Sequence, residues 1–226
     1  MTWVKICGIT NLEDALLAVQ AGADALGFVF CEKSPRNVGV ETARAIVDRL
    51  PERVEKVGVF VDQTADEIRE AVRETGMTEV QLHGAEESGI LEGLDRVEDR
   101  FGVSRLILAM PGNRLSEDGL FTGLATGGNR QVHAILLDSG WESAPGGTGK
   151  TFNWQATHKL AREMSSMGPF IVAGGLTPSN VSAAIGLFRP WGVDVSSGVE
   201  ARPGRKDPEK VRAFIREVRE TDGRTS

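Results

Sequence analysis

The sequence predicts an α/β fold, a single closed (β/α)8 barrel over residues 1–226, and three observations carry that prediction. Short β-branched or apolar runs alternate with longer amphipathic stretches, the pattern of repeated βα units on a parallel sheet. Eight such runs fit into 226 residues, a length that closed α/β barrels use for one core. No G-x-G-x-x-G follows the first run, which weighs against an open dinucleotide-binding sheet.

Taken in order, the first strand is expected at 3–6, and Asn11 caps a helix over 11–21 with Asp14 in its first turn. Strands at 25–28 and 56–60 precede helices at 40–50 and 64–75. Strands at 79–82 and 105–109 lead into 86–100, which is highly charged, and 119–129, rich in glycine and threonine; their helical patterns are the weakest of the chain. A strand at 134–137 comes before a helix at 154–164. The seventh strand, 170–172, leads to a helix at 178–188, announced by Thr177 ahead of Pro178 at the first helical position. The eighth strand, 192–195, precedes a helix at 208–219 that starts with Asp207 and Pro208, and 221–226 reads as a frayed end. The whole is a TIM-type barrel.

Hydrophobic content of 40% and charged content of 26% suffice for a sizeable core. A net charge of −6 argues against nucleic acid as a general partner, since non-specific binding to its backbone needs a basic surface. A small anion remains a suitable ligand if donors are concentrated in one pocket. With two cysteines, Cys7 and Cys31, no charged-then-apolar leader and no run long enough to cross a bilayer, a reducing cytoplasmic setting fits, without a membrane partner.

In such barrels the reaction site lies at or just after the strand C-termini. Strand one ends in Cys7-Gly8, a thiol that suits a base as well as it suits a small buried hydrophobe. Strand six runs into Asp138, either an acid whose pKa rises with desolvation or a loop aspartate bonding nearby amides. Arg36, in Ser34-Pro35-Arg36, could grip a carboxylate or simply be solvated. His83 could face a ligand or be structural. The turns Ala173-Gly174-Gly175-Leu176 and Ser196-Ser197-Gly198 suit a phosphate, although tight turns use the same residues.

Residues 144–151, Ala-Pro-Gly-Gly-Thr-Gly-Lys-Thr, nearly match a nucleotide-binding P-loop. That motif must run from a strand directly into a helix. Here the preceding strand ends near Leu137 and the next helix is expected after Asn153. The segment 146–151, with Gly149 as a substrate-contact candidate, is therefore read as a lid.

Several strings together resemble phosphoribosylanthranilate isomerase of tryptophan biosynthesis: Lys5-Ile6-Cys7-Gly8-Ile9-Thr10, Ser34-Pro35-Arg36, Val80-Gln81-Leu82-His83-Gly84, Leu137-Asp138, and segments 146–152, 173–177 and 194–200. They stand in the family's order from the first strand to the last. The resemblance implies an Amadori rearrangement of N-(5-phosphoribosyl)anthranilate without a cofactor or metal. It implies Asp138 as general acid, Cys7 as general base and Arg36 on the anthranilate carboxylate. It likewise implies Gly174, Gly175, Ser197 and Gly198 on the phosphate, with Asp194 as a second-layer or hydroxyl contact. The chain would act on a small phosphorylated molecule as a monomer or homodimer. Asn37, Asn153 and residues 139–143 depart from the family pattern, which bears on the lid and affinity but not on the acid or base.

Two other readings stand beside this one. A different barrel isomerase or epimerase would keep the phosphate site, but epimerases commonly need a metal, and the three histidines, 83, 133 and 158, do not make a ligand set. A phosphate-metabolite binding protein would need neither Cys7 nor Asp138.

Overall fold

The structure is a computed structural model that describes residues 1–83, 101–103, 105–111, 132–138 and 168–225. Eight parallel strands close in chain order, with the last pairing the first. They are β1 (Trp3–Cys7), β2 (Ala25–Val29), β3 (Glu55–Phe60), β4 (Glu79–His83), β5 (Leu106–Pro111), β6 (Val132–Asp138), β7 (Phe170–Val172) and β8 (Gly192–Val195).

Three strands run one residue beyond their apolar stretch and end on a polar side chain. Cys7 pairs with Gly27, His83 with Ala109 and Asp138 with Pro111. A parallel ladder is made by backbone groups, so a polar side chain at the mouth does not stop it. Those three side chains are thereby held on rigid strand ends.

Along each strand alternate residues face two cores. Trp3, Val57, Ile107, Ala134, Leu136 and Ile171 fill the barrel interior. Val4, Ile6, Leu26 and Phe28 face outward against Ala15, Ile46, Ile68 and Phe214 of the surrounding helices.

Those helices are α1 (Leu12–Ala21), α2 (Val40–Val47), α3 (Ala65–Thr75), α4 (Val181–Phe188) and α5 (Pro208–Thr225) among the described residues. Asn11 caps α1 by accepting from the Asp14 N–H at 2.9 Å, and Thr64 with Glu67 forms a capping box on α3. Asp207 caps α5 through the N–H groups of Glu209 and Lys210. The helices expected at 86–100, 119–129 and 154–164, and the segment 144–151 with Gly149, lie outside the described residues.

Two expectations are corrected. Pro178 does not open α4, which begins at Val181. The Asn180 side chain accepts from the Thr177 N–H at 2.7 Å and donates to the Gly175 carbonyl at 2.9 Å, holding 175–180 as a turn. Residues 221–225 do not fray but continue α5: the Asp222 carboxylate accepts from the Thr2 N–H at 2.8 Å and its hydroxyl at 2.6 Å, tying the two ends of the chain together. A short 3₁₀ turn (Ser197–Val199) and the hairpin β9 (Glu200–Arg202) with β10 (Arg205–Lys206) follow β8 and were not legible as elements.

Candidate active site

At the C-terminal ends of the strands lies a cavity lined among others by Cys7, Arg36, His83, Asp138, Asp194 and Ser196. A smaller hollow adjoins it, walled by residues 173–176 and 195–198. Asp138, Asp194 and Ser196 line both, so one ligand could occupy the two together.

Cys7 closes the floor of the larger cavity and is 7% exposed. Burial pushes its thiol up, Asp194 adds to this, and the Lys5 ammonium opposes it. Lys5, wholly buried, donates to Gln81 Oε1 at 2.8 Å and to Asp194 Oδ1 at 3.1 Å. Burial works against its charge, but Asp194 and Cys7 outweigh burial and hold Lys5 above the ordinary lysine value.

This network fixes the state of His83. An ammonium only donates, so the Gln81 oxygen must face Lys5 and its amide nitrogen must face His83, 2.6 Å away. His83 Nε2 is then an acceptor, and the proton sits on Nδ1. Burial, then Lys5, drives the His83 pKa down to about 3, so the ring is neutral at physiological pH.

Arg36 lines the cavity, yet its Nε–Nη2 edge is taken. Nε donates to Glu200 Oε1 at 2.9 Å and Nη2 to Oε2 at 2.8 Å, a bidentate fork. Lys206 reaches the same carboxylate at 3.0 Å. Burial works against the Glu200 charge, but Arg36 and Lys206 hold its carboxyl below the usual range. The Nη1 donors of Arg36 have no partner among the described residues. A Cβ at Gly8 (φ +76°) would fall 2.6 Å from Arg36 Cδ, so only glycine lets the arginine lie across the end of β1.

The two glycine turns meet at the smaller hollow. Gly174 and Gly175 have φ of +76° and +65°, and a Cβ at Gly198 would overlap the Leu176 carbonyl. The wall between Ala173 and Gly198 is thus mostly backbone, as an anion site built from N–H groups requires. Its one buried hydroxyl, Ser196 Oγ, has no hydrogen-bond partner. The negative charge of Asp194 at its edge is offset by Lys5.

The structure thus brings Cys7, Arg36, His83, Asp138 and Asp194 to one cavity and Gly174, Gly175, Ser197 and Gly198 to its neighbour. Sequence reasoning missed Lys5, Gln81, Glu200 and Lys206. A lysine at an inward position of a buried strand, between Trp3 and Cys7, was the one visible signal.

A family model described as N-(5'phosphoribosyl)anthranilate (PRA) isomerase matches residues 4–217. The chain is 47% identical over 221 residues to N-(5'-phosphoribosyl)anthranilate isomerase of Pelobacter propionicus, an alignment covering 98% of this chain and 97% of that one. Among solved structures, phosphoribosyl anthranilate isomerase from Thermotoga maritima is similar with a TM-score of 0.81 at 40% identity, covering 97% and 100% of the two chains. A phosphoribosyl anthranilate isomerase in complex with reduced 1-(o-carboxyphenylamino)-1-deoxyribulose 5-phosphate gives a TM-score of 0.77 at 37% identity, with the same coverage.

Proposed function

This chain belongs to the N-(5'-phosphoribosyl)anthranilate isomerase family, and from that premise we propose how its barrel mouth divides the work of the reaction. The chain is an isomerase of tryptophan biosynthesis, converting N-(5-phosphoribosyl)anthranilate to 1-(2-carboxyphenylamino)-1-deoxyribulose 5-phosphate. Its partner is a small phosphorylated substrate.

The observation that carries the assignment of roles is the junction of the two hollows: Asp138 stands between the backbone-walled turn site and the cavity that holds Cys7. A phosphate in the smaller hollow puts the ribose between acid and base and the aromatic ring toward Arg36. Asp138 gives its proton to the furanose ring oxygen as the C1′–O bond breaks, leaving an iminium between C1′ and the amine. The Cys7 thiolate then takes the C2′ proton, and the C–H electron pair moves into the C1′–C2′ bond to neutralise the iminium. The resulting enolamine tautomerises to the ketone. Arg36 receives the anthranilate carboxylate on its Nη1 end, and neutral His83 lines the same cavity without competing as a base.

The test generates phosphoribosylanthranilate in situ with purified protein and follows loss of its fluorescence. Conversion is expected, with inorganic phosphate a competitive inhibitor. No conversion would overturn the assignment. Conversion indifferent to phosphate would overturn the turn site.

A further inference from the structure

One buried charge has no part in the chemistry just described: Lys5. It stands midway along β1 on the face that also carries Trp3 and Cys7, and it is 0% exposed. An ammonium there is tolerated only if its donors are met. Gln81 and Asp194 accept two of them, at 2.8 and 3.1 Å, and the ammonium also acts on the Cys7 thiol, opposing the effect of burial.

The arrangement depends on the neighbouring strand. A Cβ at Gly27 would lie 2.7 Å from Cys7 Sγ and 3.0 Å from Lys5 Cε, so the bare backbone of β2 is what lets thiol and lysine lie side by side. A purely structural ion pair would be complete with Asp194 alone.

We propose that Lys5 is a positioning residue for Cys7: from beneath the barrel mouth its ammonium fixes the sulfur and stabilises the thiolate that takes the substrate's C2′ proton. This rests on Cys7 being the base. Lys5 keeps its own proton throughout; the thiol's proton leaves to solvent.

The other charged and titratable groups around the thiol do this less than Lys5 or not at all. Asp194 on β8 acts in the opposite direction, and Lys206 on β10 acts in the same direction but less than Lys5. Arg36, after β2, is paired with Glu200 of β9, and His83 on β4 is neutral. Asp138 at the end of β6 is the proposed proton donor to the substrate's ring oxygen.

The thiol is titrated by its ultraviolet thiolate absorbance, as the difference between wild type and Cys7→Ser. Lys5→Met is expected to raise the Cys7 pKa by about one unit or more. The kcat near neutral pH should then fall about tenfold per unit, with KM nearly unchanged and the loss recovered as pH rises. Because Lys5→Met strands the Asp194 carboxylate, Lys5→Met/Asp194→Asn provides a charge-balanced second variant. It should shift the thiol in the same direction by less, since the pull of Lys5 exceeds the push of Asp194. A thiol that titrates as in wild type in either folded variant, or a kcat loss that pH does not repair, would overturn the proposal. The titration needs no substrate. A wild type that does not turn over would therefore sink Cys7 as base while the Lys5–Cys7 coupling is still read directly.

Discussion

The Glu200 carboxylate grips Arg36 along one edge and leaves the Nη1 end for the proposed substrate contact. Glu200→Gln keeps the shape but weakens one half of the fork and leaves Lys206 without its counter-charge. We predict a KM raised about tenfold with kcat changed less, because the carboxylate contact is made equally in ground and transition states. Steady-state kinetics check this; an equal fall in kcat at constant KM would contradict it. Arg36 was legible from Ser-Pro-Arg, but its partner was not, since 164 positions separate them and only the closure of the barrel brings them together. Cys7 and Asp138 were legible because each follows an apolar run. Lys5 was not singled out, although its inward position within β1 was already an anomaly for a buried strand.

Among the elements, the turn pair after β7 and β8 is the proposed anion site. Asn180 braces the first turn through Thr177 and Gly175, and Gly198 lets the second lie against the Leu176 carbonyl. Gly198→Ala must part the turns, and inhibition by inorganic phosphate should weaken about tenfold or more, roughly 1.4 kcal/mol. Unchanged inhibition would remove the turns from the phosphate site. The barrel strands and the caps at Asn11 and Asp207 followed from local sequence signals, which act within a few residues. The start of α4 did not: a proline at the first helical position is a good signal, but the Asn180 side chain spends its hydrogen bonds on the turn instead. The β9–β10 hairpin escaped notice because three- and two-residue strands carry no periodicity to read.

For the molecule as a whole, the mouth carries the proposed chemistry and the opposite end carries a stability cost. There Glu55 accepts from Trp3 Nε1 at 2.8 Å and from Arg105 at 2.6 Å. Glu79 is buried; Arg105 lies 2.8 Å from its Oε1, but without hydrogen-bond alignment, and neither Glu79 oxygen has a hydrogen-bond partner. Burial, then Glu55, raises the Glu79 pKa from 4.5 to about 7, with Arg105 offsetting only part. The folded chain therefore holds this proton more tightly than the unfolded chain does. The group's relative stabilisation is fully present below pH 4.5 and is lost as pH rises through about 7. Glu79→Gln removes that dependence, so its stability relative to wild type should improve by up to roughly 3 kcal/mol between mildly acidic and mildly alkaline pH. Denaturant unfolding at the two pH values measures it; parallel changes in both proteins would contradict it. The closed barrel was legible because eight apolar runs at βα spacing leave few alternatives, whereas this polar floor arises from residues far apart in the chain.

The division of labour between Cys7 and Asp138 is tested most directly by turnover of phosphoribosylanthranilate in wild type, Cys7→Ser and Asp138→Asn, with binding of the reduced product analogue measured in parallel. The account predicts that each variant loses about 100-fold or more in kcat while binding the analogue nearly as wild type does. Turnover by either variant close to the wild-type rate would contradict it.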